Sequence, residues 1–123
     1  MKTIHTAKAP EAIGPYSQAI VHGGLLFTSG QIAINPASGQ VEADTIEGQT
    51  EQVMKNLAAL LEEAGASFDS VIKTTCFLSD MADFAAFNAI YGAYFVSKPA
   101  RSCVAAKQLP KNVLVEVELI AAK

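Results

Sequence analysis

The segment Val113-Leu114-Val115-Glu116-Val117-Glu118-Leu119-Ile120-Ala121 constrains the fold more than any other. Side chains alternate along a strand, so Val113, Val115, Val117 and Leu119 point one way while Leu114 and Ile120 point the other. A strand that is apolar on both faces needs a cover on each. The rest of the chain offers two helical patterns for that purpose. From Asp44 onward Ile46, Thr50, Val53, Leu57, Leu60, Leu61 and Ala64 recur at helical spacing, and Gly65 supplies the stop. Either Asp44 with Glu47, as a capping box, or Thr45 opens this helix. Asp80 caps a second helix carrying the stripe Phe84, Phe87, Tyr91, Tyr94 and Phe95, which reads as core.

The remaining apolar runs read as strands. Ala19–His22 and Leu25–Thr28 flank Gly23-Gly24 and form a hairpin. A second turn, Asn35-Pro36-Ala37-Ser38-Gly39, follows Gln31–Ile34 and leads into Val41. Val71–Leu78 is β-branched and aromatic. Strands around Ser102–Lys107 and Val113–Ala121 close the chain, separated by Leu109-Pro110-Lys111-Asn112. The order ββ-α-β-α-ββ predicts an α+β two-layer sandwich, a mixed sheet with two helices on one face. Two helices cover only that face, which predicts a homo-oligomer whose sheets pack against each other.

No linker, repeat or low-complexity tract divides the 123 residues, so residues 1–123 are read as one domain. Half the residues are hydrophobic and 17% are charged, which excludes a disordered chain. A formal net charge of -3 argues against a nucleic-acid binder, whose footprint is basic. No run of five basic residues suggests a membrane surface, and no apolar stretch reaches transmembrane length. Met1–His5 contains no signal-peptide h-region, and Cys76 and Cys103 each lie in an apolar run. A cytoplasmic protein with reduced thiols is expected.

Arg101 is the one arginine among nine basic residues. It follows Pro99-Ala100, where a loop enters a strand, and proline restricts the backbone just before it. Its planar fork matches a carboxylate in a way lysine does not. On spacing alone a ligand-binding role and a structural ion pair are both open. Glu116 is flanked by valines, a setting that disfavours its charged form and moves it toward general-base duty; a solvated strand is the alternative. Ile13-Gly14-Pro15-Tyr16-Ser17-Gln18 suits a wall over a small ligand or a plain turn. In Thr28-Ser29-Gly30-Gln31 the glycine permits close approach or marks a bulge. His5 and His22 have no partners at metal-ligand spacing, and no phosphate-loop, dinucleotide or nucleophile-elbow motif is present. Cys103 lacks a histidine base and reads as a structural thiol.

Taken together, Ala12–Gln18, Ser29-Gly30-Gln31, Phe87-Asn88-x-x-Tyr91, Pro99–Val104 and Leu109-Pro110-Lys111 with Val115–Glu118 resemble the Rid/YjgF family, in its imine-deaminase branch. The resemblance spans essentially the whole chain. It implies a chorismate-mutase-like fold and a homotrimer with sites in the clefts between subunits. It also implies cofactor-free hydrolysis of 2-iminobutanoate and 2-iminopropanoate to 2-keto acids and ammonia. By position, Arg101 would bind the substrate carboxylate, Glu116 would orient water, and the Cys103 backbone would line the same pocket. Tyr16, Ser29 and Gly30 would come from the neighbouring subunit, and Asn88 would lie close by. Val96-Ser97-Lys98 is shorter than is common in the family, and Ala105-Ala106-Lys107-Gln108 lacks its usual acidic and arginine residues. Both segments flank Arg101 and bear on substrate range. A non-catalytic regulator binding 2-keto acids in the same pocket is the alternative; an RNA-acting protein is disfavoured by the acidic charge.

Overall fold

The computed structural model describes residues 1–123. Six strands form one sheet: β1 (Lys2–Ile4), β2 (Ala19–His22), β3 (Leu25–Thr28), β6 (Val71–Leu78), β7 (Ala100–Ala105) and β8 (Val115–Ala122). Between β3 and β6 lie a small separate hairpin, β4 (Ile34–Asn35) with β5 (Gln40–Val41), and helix α1 (Ile46–Ala64). Helix α2 (Phe84–Tyr94) connects β6 to β7. The spatial order is β1-β2-β3-β8-β6-β7; every pairing is antiparallel except β6 with β7. The parallel pair follows from the crossover through α2. This is the expected mixed sheet with two helices on one face.

Two elements escape the sequence reading. β1 is too short to show an alternating pattern, yet it extends the sheet beyond β2 with Thr3 opposite Ile20. The β4–β5 hairpin encloses a segment, Asn35-Pro36-Ala37-Ser38-Gly39, that the sequence marks only as a turn. The β2–β3 turn is as expected: Gly23 and Gly24 both hold positive φ, 60° and 77°, which two non-glycine residues would adopt only under strain.

Helix α1 begins at Thr45, whose hydroxyl accepts from the Gly48 amide at 3.1 Å, so the cap is Thr45 rather than Asp44. It ends at Gly65. All seven residues of its predicted stripe are buried. Asp80 caps not α2 itself but a short 3-10 turn, Met81–Asp83, that leads into it. Phe87, Tyr91 and Phe95 are buried, with the Tyr91 and Phe95 rings stacked at 4.3 Å between centroids.

Strand β8 lies inside the sheet between β3 and β6, and its faces differ. Val115, Val117, Leu119 and Ala121 are buried against the helices. Glu116, Glu118 and Ile120 turn to the opposite face, where Ile120 sits beside Phe27 and Glu116 beside Phe77. Phe27 and Val104 remain 41% and 50% exposed there. Within one chain that face is uncovered, as the count of helices predicted.

Candidate functional site

Register decides where each candidate side chain projects. Thr74 of β6 pairs with Arg101 of β7 and with Leu119 of β8, and all three face the helices. Arg101 therefore lies on the helix side, but on an edge strand where α2 leaves it half-buried. Phe84, Asn88 and Tyr91 share one face of α2 by i, i+4 and i+3 spacing and receive it. Its Nη1 donates to Asn88 Oδ1 at 2.7 Å. Its guanidinium carbon stands 4.7 Å from the Tyr91 ring centroid and 5.4 Å from that of Phe84. Such stacking holds the fork while leaving its other N–H groups free.

The platform is itself anchored. Tyr91 Oη and Thr74 Oγ1 are hydrogen-bonded at 2.7 Å inside the core. Burial pushes the Tyr91 hydroxyl's pKa up, opposed by that hydrogen bond. Arg101 joins neither of the chain's two ion pairs, so no carboxylate neutralises it. It opens into a cavity of about 460 Å³ with Asn88, Tyr91, Val96, Lys98 and Pro99 among its lining. Cys103 is two residues along on the same side, its thiol pushed up by burial and drawn back by Arg101. Cys76, opposite it on β6, is pushed up to about 12. Neither is a ready thiolate.

Glu116 is elsewhere. It projects from the other face of the sheet and lines a second cavity, about 390 Å³, with Tyr16, Gln18, Ser29, Gly30 and Gln31. Burial raises its carboxyl pKa first, and the Glu118 carboxylate beside it adds to the rise. Gly30 packs directly on this carboxyl. A Cβ at Gly30 would run into Oε2 and lie 2.9 Å from Cδ, so only glycine lets the two approach. Gln31 clamps the contact: it exchanges backbone hydrogen bonds with Val117 at 2.8 and 3.1 Å. Ser29 donates through Oγ to the Ser17 carbonyl at 2.6 Å and through its amide to the Gln18 carbonyl at 2.9 Å.

The buried Gln18 side chain ties this wall to the N-terminal segment. Its Oε1 accepts from the Thr6 amide, and its Nε2 donates to the carbonyls of Thr6, Ala9 and Pro10. Tyr16 stands 53% exposed at the rim. One chain therefore carries two separate clusters of candidate residues. Arg101, Asn88 and Cys103 form one; Glu116, Tyr16, Ser29 and Gly30 form the other. Within one chain Glu116 is not grouped with Arg101, because a three-residue offset along β6, an odd number, puts their side chains on opposite faces: Glu116 pairs with Phe77, Arg101 with Thr74.

The sequence places Phe84 and Tyr91 in the aromatic core stripe, with Tyr91 also in the Phe87-Asn88-x-x-Tyr91 motif, and gives neither a site role. The signal for a second role was their spacing around Asn88. Lys98 and Gln18 received no separate role. No group of three His, Cys, Asp or Glu side chains is placed to hold a metal. No helix is long and apolar enough to cross a membrane.

These features define a small α+β sandwich bearing an unpaired arginine in a cleft and a desolvated carboxylate on the opposite face. The chain belongs to the Rid/YjgF family: the family model described as Endoribonuclease L-PSP matches residues 6–123. It is 57% identical over 122 residues to the putative regulator AldR of Lactococcus lactis, covering 98% of this chain and 97% of that one. It is 46% identical over 126 residues to 2-iminobutanoate/2-iminopropanoate deaminase of Escherichia coli, covering 99% and 98%. The crystal structure of the Rid-family protein YyfA from Yersinia pestis superposes with a TM-score of 0.97 at 48% identity, covering 99% of this chain and 98% of that one.

Proposed function

We propose that this protein hydrolyses 2-imino acids, 2-iminobutanoate and 2-iminopropanoate among them, to 2-keto acids and ammonia in a homotrimer. The observation that carries the reading is Arg101 itself. A half-buried guanidinium stacked on Tyr91, fixed by Asn88 and lacking any acidic partner leaves N–H donors for a carboxylate ligand. The two separate clusters support the oligomer. Glu116 and Arg101 act on one substrate only if the Glu116 wall of one copy faces the Arg101 wall of the next. The uncovered sheet face, with Phe27, Val104 and Ile120, is the surface that would pack.

In this arrangement Arg101 grips the carboxylate through two parallel N–H donors and sets C2 against the Glu116 wall. Glu116 accepts a proton from water as the water oxygen bonds to C2 of the protonated imine, giving a neutral carbinolamine. Glu116 returns that proton to the amine nitrogen, and the carbinolamine collapses: its hydroxyl proton passes to Glu116 or solvent, the C–N bond breaks, and ammonia departs. Glu116 is suited to carry the proton between these steps because burial, with the Glu118 carboxylate beside it, raises its carboxyl pKa and makes it a better base. Gly30 packs against the Glu116 carboxyl and limits where it can move.

The test generates 2-iminobutanoate in situ and follows 2-oxobutanoate release with and without the protein. Acceleration by the wild type that Arg101→Ala abolishes supports the reading; release at the spontaneous rate refutes it. The 57% identity to a protein named as a regulator favours a second reading, binding of 2-keto acids without catalysis. That reading expects saturable 2-oxobutanoate binding and no acceleration.

A further inference from the structure

Beside Arg101 the same cavity holds a second cation, Lys98, and within one chain no acidic side chain lines it. Lys98 joins no ion pair, and it is exposed at the mouth of the cleft. Its backbone is unusual. Lys98 holds φ at 56°, in the left-handed region, although it is neither glycine nor asparagine. The Pro99 that follows pushes its predecessor toward extended backbone instead. Its amide donates to the Phe95 carbonyl at 3.1 Å, closing a tight turn between α2 and β7. Strain of this kind persists where surrounding structure holds it, and it gathers at ligand sites.

We infer that Lys98 is a specificity-determining residue that directs this site toward 2-imino dicarboxylates, the imines of acidic amino acids. This rests on the imine-hydrolase reading above and names its substrate class. Arg101, fixed on Asn88 and Tyr91, takes the carboxylate next to C2, as in any 2-imino acid. A substrate with a second carboxylate on its side chain brings that charge toward the cavity mouth, where a flexible ammonium answers it. Lysine suits this task because a point charge on a long stem follows side chains of different length. An apolar side chain finds Val96 and Pro99 there but leaves the ammonium uncompensated. The reaction is unchanged: water adds to C2, the C–N bond breaks, and a 2-keto dicarboxylate and ammonia leave.

The experiment compares two imines made in situ by amino-acid oxidases, one from aspartate and one from alanine, with semicarbazide trapping whatever the protein leaves. Wild type is expected to act on the aspartate-derived imine with at least tenfold higher kcat/KM. Lys98→Ala should lower that ratio about tenfold, through KM, and Lys98→Arg should retain it. A wild-type ratio near one, or an equal fall on both imines in Lys98→Ala, overturns the inference and leaves the hydrolase reading standing. If neither imine is accelerated the hydrolase reading fails, and calorimetry then decides on Lys98 alone. Oxaloacetate binding more tightly than 2-oxobutanoate, with the preference lost in Lys98→Ala, supports it; equal affinities or no binding overturn it.

Discussion

Arg101 and Glu116 project from opposite faces of one sheet, with strand β6 between their strands. Under the hydrolase reading proposed above, a working site would join the Arg101 wall of one copy to the Glu116 wall of another. Complementation tests this. Arg101→Ala and Glu116→Gln should each be inactive alone, but subunits refolded together in equal amounts should recover roughly a quarter of wild-type activity, the share of head-to-tail interfaces with both walls intact. Recovery is read from keto-acid release before and after mixing. Activity no higher than the separate variants would place both residues' action within one chain.

Arg101→Lys should fold normally and lose affinity for 2-keto acids. Lysine keeps the charge but cannot offer a carboxylate a planar two-donor fork while bonding Asn88, or lie flat on Tyr91. Because the site is only half-buried, solvent screening reduces the cost. About 2 kcal/mol, or roughly 30-fold in Kd for 2-oxobutanoate, is the expected loss by calorimetry.

Gly30→Ala probes the Gly30–Glu116 approach. Its Cβ displaces the carboxyl, since the nearby Gln31–Val117 hydrogen bonds prevent the backbone from yielding. A misplacement of this size costs on the order of 100-fold in kcat/KM. Imine hydrolysis at the wild-type rate would show that the carboxyl's position is not critical.

Glu116 also sets a pH dependence. Its folded-state pKa is raised by burial and by Glu118 above the usual carboxylate value, so the folded chain holds the proton more tightly than the unfolded chain. Stability linked to it is therefore present below the unfolded pKa and is lost as pH rises through the folded pKa. Glu116→Gln should match wild type near pH 4 and melt higher at pH 7 to 8, by thermal denaturation (pH values chosen to be roughly either side of the carboxylate range). Wild-type kcat/KM should rise with pH across the same window, because the base works deprotonated.

Thr74→Val removes the hydroxyl that meets Tyr91 Oη in the core. Leaving that phenol unsatisfied should cost ~1–3 kcal/mol in chemical denaturation. The ring it anchors is the floor under Arg101, so KM should rise as well. Stability lost without any change in KM would make Thr74 purely structural.

Local chemistry alone made much of this protein legible. The helical stripe from Ile46 to Ala64, the strand at Val71–Leu78, the Gly23-Gly24 turn and the two-faced β8 each follow from periodicity or from a residue's own backbone preference. The spacing of Phe84, Asn88 and Tyr91 already placed those side chains on one helix face. Arg101, as the lone arginine, and the Gly30 and Glu116 motifs were likewise visible. What the linear order does not contain is strand register. Only pairing across β6 decides that Arg101 meets α2 while Glu116 meets Gly30, because a one-residue shift moves every side chain to the other face. The left-handed turn at Lys98, and the pairing of its charge with Arg101 in a cavity that within one chain no acidic side chain lines, likewise arise from how α2 returns to the sheet.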